Sequence, residues 1–125
     1  MAEELEWEPV RALARQVRNG EPLALTDEVK ALLTRTAPEV GISATDAASS
    51  LGSRAGAEAL LLECARRIKE GSNRIVDALY RAKRHRQAGD FDSARQEMRD
   101  VLAVEVVPLY REIAEDQLED MADEP

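Results

Sequence analysis

The chain has 125 residues and a formal net charge of −8, and it is 44% hydrophobic but only 3% aromatic. That length suits one domain with a continuous core. A core so short of aromatics has to be made of Leu, Val, Ile, Ala and Met between helices, which turns the reading away from sandwiches and barrels.

In chain order, Pro9 stands where an early helical turn tolerates it, and Trp7, Val10, Leu13, Ala14 and Val17 form one apolar stripe ended by Gly20 and Pro22. Thr26 as a cap, with Asp27 and Glu28 behind it, opens a second helix whose buried face is Val29, Leu32 and Leu33. Pro38 is expected to close that helix by pushing Ala37 away from helical angles. Ser43 and Asp46 resemble a capping box for a short helix through Ala47, Ala48 and Leu51, with Gly52 as its stop.

Ser53 then caps a long helix. Apolar or small residues fall at Ala57, Leu61, Cys64, Ile68, Gly71, Ile75, Leu79 and Ala82, in steps of 4, 3, 4, 3, 4, 4 and 3. A break at Gly71-Ser72-Asn73 is the alternative, since Gly weakens a helix interior by about 1 kcal/mol against Ala. The unbroken phase favours one helix of about 45 to 50 Å. Gly89-Asp90 is the clearest turn, a left-handed stop followed by a cap. On the returning arm Ala94, Met98, Leu102, Val106, Leu109, Ile113 and Leu118 mark the inner face. Val101 to Val107 is β-branched enough for a strand, but with no second strand to pair with, helix is preferred, kinked at Pro108 by the missing backbone donor. The expected fold is therefore all-α. Four to five helices are dominated by a long antiparallel hairpin, about 54–88 and 90–121, with shorter N-terminal helices packed on it, in a single domain 1–125 frayed at 1–6 and 121–125.

Charge divides unevenly along this plan. Residues 54–86 carry a net +5, residues 87–125 a net −9 and residues 1–53 a net −4. The two arms of the hairpin are opposite in sign, so their flanking charges can face each other as they do beside a coiled-coil seam, or can pair two hairpins in a homodimer. Exposed pairs contribute only about 0 to 1 kcal/mol each, so the expected effect is on register and choice of partner.

No Gly-rich phosphate loop, no G-x-S-x-G and no His-bearing metal pair occurs in the sequence. No catalytic residue, metal ligand or cofactor is expected, and the protein is read as a non-enzyme with no evident small-molecule substrate. His85, the one histidine, is read as a solvated surface residue, and Cys64 as a small core residue. Glu112, Glu115, Asp116, Glu119 and Asp120 lie along one helical side but lack the Glu-x-x-His pair of a four-helix metal site, so they are read as a solvated acidic face. The negative field repels phosphate and speaks against a general binder of nucleic acid or anionic membrane. Residues 28–51 have some look of a helix-turn-helix. Yet Pro38 interrupts the first helix, Asp46 falls where an apolar contact is wanted, and Ala44, Thr45, Ala48 and Ser49 offer no bidentate reader of bases. No run approaches the roughly 18 to 20 apolar residues of a membrane span, and the start is acidic where a secretory signal is basic and then apolar. A lone cysteine fits a reducing compartment, and a cytoplasmic location is expected.

Residues 88–94, Ala-Gly-Asp-Phe-Asp-Ser-Ala, have the Gly, aromatic and Ala order of a tetratricopeptide turn, but no second copy follows at that period. Two longer stretches are more specific. They are PLALTDEVKALL, residues 22–33, and GDFDSARQEMRDVLAVEVVPLYREIAE, residues 89–115. On these the chain is similar, from Trp7 to Met121, to the DUSAM domain, a small family known mainly as multiple paralogues in myxobacteria. The resemblance implies a bacterial, cytoplasmic, stand-alone domain, and it assigns no activity and no functional residue.

The sharpest local feature is Arg81-Ala82-Lys83-Arg84-His85-Arg86 at the end of the long helix. Cations there complement the helix dipole and can pair with the acidic arm. Arg can also hold carboxylate or phosphate oxygens. The leading functional expectation is a protein-interaction module that presents Tyr80, Arg81, Lys83, Arg84, Arg86, Tyr110 and Arg111 to an acidic or helical partner, a second copy of the chain included. The alternative is a nucleic-acid regulator using the same basic helix or the segment 28–51.

Overall fold

The computed structural model describes residues 6–125, so the expected fraying of residues 1–6 lies, but for Glu6, outside the described residues. The described chain is all-α, with six helices: α1 Glu8–Arg18, α2 Asp27–Glu39, α3 Ala44–Ser50, α4 Arg54–Gln87, α5 Phe91–Val104 and α6 Pro108–Asp120. None of them is long and apolar enough to cross a membrane.

Helix starts and stops follow local chemistry. The side chains of Thr26, Ser43, Ser53 and Asp90 accept from the backbone N–H three residues on, at Val29, Asp46, Gly56 and Ser93. At Asp90 these hydrogen bonds, from the Ser93 side chain and backbone, hold the carboxyl below its ordinary value. Helices α1, α2 and α4 stop alike, at a glycine with positive φ: Gly20, Gly41 and Gly89. In each case the residue after the glycine donates back to a carbonyl in the last turn, Glu21 to Gln16, Ile42 to Ala37 and Asp90 to His85. The left-handed glycine at Gly41, and not Pro38, is therefore what ends α2. Pro38 sits inside the last turn with Ala37 still helical, because the carbonyl its missing N–H leaves free belongs to Thr34, an exposed residue that water can reach.

The chain divides into two compact units, Met1–Arg67 and Ile68–Pro125, and α4 contributes to both. In the first unit Val10, Ala14, Leu33, Ala37, Leu61 and Cys64 are among the fully buried side chains. Thr36 is buried with them, its hydroxyl without a partner among the described residues. Polar ties fix the edges of this core. The Trp7 indole donates to Glu39 (3.0 Å), the Leu23 N–H to Glu58 (3.1 Å), and Arg67 to the Val40 carbonyl at the C-terminus of α2 (3.0 Å). Arg66 and Arg67 both donate to Glu63, and these bonds, Arg66 first, hold its carboxyl down at about 2 against the opposing effect of burial.

In the second unit α4 continues unbroken through Gly71. The returning arm, expected as one kinked helix, is two. Helix α5 runs antiparallel to α4, as Arg81 to Glu97 and Arg74 to Glu105 show, and α6 turns back along α5, with Arg95 donating to the Met121 carbonyl and Arg111 to that of Leu102. Between them Glu105 and Val107 are extended, not helical. Pro108 forces this, since it disfavours helical angles in the residue before it and is well placed as the first residue of a new helix. Residues 121–125, where fraying is expected, are anchored at one end: Met121 is fully buried, and Arg95 also reaches the Glu124 carbonyl (3.1 Å).

Candidate interaction surface

The basic cluster lies on the last two turns of α4, and its side chains divide between two sides of the helix. Arg81 and His85, four apart, face α5. The Arg81 guanidinium pairs with Glu97 at 2.8 Å, and His85 Nε2 lies 3.5 Å from the same carboxylate. The hydrogen bond to Glu97 holds Arg81 above its ordinary value. On the other side, Leu79, Lys83 and Arg86 follow one another at helical spacing and meet Phe91 and Gln117. With Gln87 they line an open groove of about 600 Å³ whose lining contains no carboxylate. Arg86 donates to the side chain of Gln117 at 3.5 Å, and Arg84 stacks over the Tyr80 ring with its guanidinium 5.9 Å from the centroid. Lys83, Arg84 and Arg86 form no ion pair among the described residues. A second, smaller hollow of about 400 Å³ is bounded by Arg81, Arg84, His85 and Ala88.

Beside these cations α4 exposes apolar surface. Val76 is 58% and Tyr80 63% exposed, and with Lys83 and Gln87 they follow steps of 4, 3 and 4 along one helical face. Val76 and Tyr80 thus set exposed apolar surface one turn ahead of Lys83 and Arg84 on the same helix.

Tyr80, Arg81, Lys83, Arg84 and Arg86 share the C-terminal end of α4, with Lys83 and Arg86 in the groove, Arg84 over Tyr80 and Arg81 turned toward Glu97. Tyr110 and Arg111 are placed elsewhere. Tyr110 is buried, and its hydroxyl donates to the Ile68 carbonyl at 3.2 Å. Its ring lies flush on α4 at Gly71, where a Cβ would come within 2.5 Å of the ring. Arg111 donates to the carbonyls of Leu102 and Glu105, closing the end of α5. Both belong to the α5–α6 junction. Its centre is Glu105, 3% exposed, whose carboxylate takes one bond from Arg74 (2.7 Å) and one each from the Val106 and Val107 N–H groups (both 3.0 Å).

The expected pairing of the basic arm with the acidic one is realised at Glu97 and Glu105 only in part. Glu112, Glu115, Asp116, Glu119 and Asp120 are all exposed on α6 and form no ion pair among the described residues. Phe91 and Gln117 carry no functional signal in the sequence, although Phe91 directly follows the cap residue of the clearest turn in the chain, and Leu79, expected in the apolar seam, is half-buried and lines the groove. Among the described residues no group of three or more His, Cys, Asp or Glu is placed to hold a metal ion. Helix α3, seven residues long, exposes Ala44, Thr45, Ala48 and Ser49 and contains no Arg or Lys.

Compared with known families, the chain matches, over residues 5–121, the model of a family described as a protein of unknown function (DUF2379). This is the DUSAM domain family. The chain belongs to it. The match takes in both units of this DUSAM domain and every residue of the groove. No curated protein and no solved structure matches the chain.

Proposed function

We propose that this DUSAM domain works by contact and not by catalysis, as a protein-interaction module of the bacterial cytoplasm whose contact surface is the C-terminal end of α4 together with Phe91. One observation carries the reading: a groove lined by Leu79 and Phe91 together with Lys83 and Arg86, no carboxylate in its lining, and the exposed Val76 and Tyr80 on the same helix. In a chain of net charge −8, this concentrates cations and apolar surface at one place. The complementary ligand is an acidic amphipathic helix, whose apolar side chains cover Leu79, Tyr80 and Phe91 while its carboxylates reach Lys83, Arg84 and Arg86. Arg and Tyr also suit the centre of such an interface, Tyr because it gives a large contact area with few rotamers to freeze and Arg because its planar fork binds carboxylates in pairs of hydrogen bonds.

The test is capture of partners from the host by the full chain and by the triple reversal K83E/R84E/R86E, at low salt and at 0.5 M salt, the latter chosen because the screening length falls to about 4 Å there. We expect proteins retained by the wild type to be lost both in the variant and at high salt. Identical retention by both proteins at both salts would overturn the reading.

A further inference from the structure

The surface on α4 has a counterpart in the same chain. Helix α6 carries Glu112, Glu115, Asp116, Glu119 and Asp120 on the side away from the buried Tyr110 and Ala114, and none of the five forms an ion pair among the described residues. Within one chain these carboxylates do not meet the unpaired cations of α4. The residue of α6 that Arg86 reaches is Gln117. The molecule therefore displays two uncompensated surfaces of opposite sign.

The two surfaces also match in layout. Along α4 the order is apolar and then basic, Val76, Leu79 and Tyr80 before Lys83, Arg84 and Arg86; along α6 the half-buried Leu109 precedes Glu115, Asp116 and Glu119. Each stretch is about 15 to 20 Å long. We infer that the occupant of the α4 groove is α6 of a second copy of this chain, laid in parallel so that Lys83, Arg84 and Arg86 of one copy meet Glu115, Asp116 and Glu119 of the other. This rests on the interface proposed above and names its partner. Both copies carry both surfaces, so the proposed pair is the two-fold arrangement in which each groove is filled by the other copy's α6, and its mass of two chains distinguishes it from an open head-to-tail series. Reciprocity doubles the number of charge contacts, and complementary charge fixes the register and speeds encounter.

The experiment is sedimentation equilibrium of the full chain over a concentration series at low salt. Three proteins are compared: the wild type, the basic-side reversal K83E/R84E/R86E and the acidic-side reversal E115K/D116K/E119K. All six positions are exposed, and far-UV circular dichroism checks that each variant keeps its helices. The wild type should sediment at twice the monomer mass, and each variant alone should self-associate more weakly by about tenfold or more. An equimolar mixture of the two variants should dimerise again, because each altered groove then meets an altered α6 of opposite sign. A wild type that stays monomeric, variants that dimerise as well as the wild type, or a mixture that stays monomeric would each overturn self-pairing. If the wild type is monomeric yet loses captured host proteins on K83E/R84E/R86E, self-pairing falls and the interface stands. If neither mass nor capture responds to that substitution, both fall.

Discussion

Gly71 and Tyr110 are explained by each other. The helix phase running through Gly71 predicts an unbroken α4, but nothing local says why glycine is there; the reason is a ring 39 positions further along that lies against the bare backbone. The same distance in sequence is why Tyr110, next to Arg111, reads as a surface aromatic when it is a core one. Gly71→Ala sets two opposed effects against each other: Ala favours an isolated helix by about 1 kcal/mol, while overpacking a filled core costs about 1 to 3 kcal/mol. With a Cβ only 2.5 Å from the ring, the steric effect wins. Urea denaturation should therefore show Gly71→Ala less stable than the wild type, and an equal or higher midpoint would show that the ring yields freely. Cys64 offers a separate check on burial. Burial, the main cause, pushes its thiol up to about 11 from an ordinary 9.0, so the folded chain keeps a proton that the unfolded chain gives up. The resulting stabilisation is fully present below pH 9.0 and is lost as pH rises through about 11. Melting temperature should accordingly fall more steeply with pH across that window in the wild type than in Cys64→Ala, and parallel slopes would place the thiol in water.

Among the elements, those whose signals are local were legible. The caps Thr26, Ser43, Ser53 and Asp90 and the stops Gly20 and Gly89 all act as their residue types imply, since cap and left-handed stop are settled within four residues of chain. The α5–α6 junction was not legible. Val101 to Val107 suits helix or strand by composition, and Glu105 reads as one more acid of an acidic arm. Its role depends on Arg74, 31 positions away, and on two N–H groups that a continuous helix would have bonded internally. Glu105→Ala strands those donors in a buried corner, and we expect a loss of about 2 to 4 kcal/mol in urea denaturation. Glu112→Ala, on the exposed face of α6, should stay within about 0.5 kcal/mol of the wild type. Equal effects from the two substitutions would mean that Glu105 holds nothing together.

For the whole molecule, charge segregation is plain in the sequence, but its destination is not. Net charges of +5 over residues 54–86 and −9 over 87–125 suggest two arms that neutralise each other. Because α6 folds back along α5, the carboxylates after Pro108 are turned outward, and Lys83, Arg84 and Arg86 remain without them. The candidate surface was half legible for the same reason. A run of cations at a helix end is visible in one line of sequence, whereas the apolar lining from Phe91 and the neighbouring Gln117 exists only once α5 and α6 are in place. That the end of α4 is the interface is tested most directly by a photo-crosslinking residue at Tyr80, compared in the host cell with the same residue at Ala48, exposed on α3. We expect a discrete covalent adduct at position 80, absent at position 48 and abolished when K83E/R84E/R86E is added. No adduct at 80, or one that the charge reversal leaves intact, would contradict it.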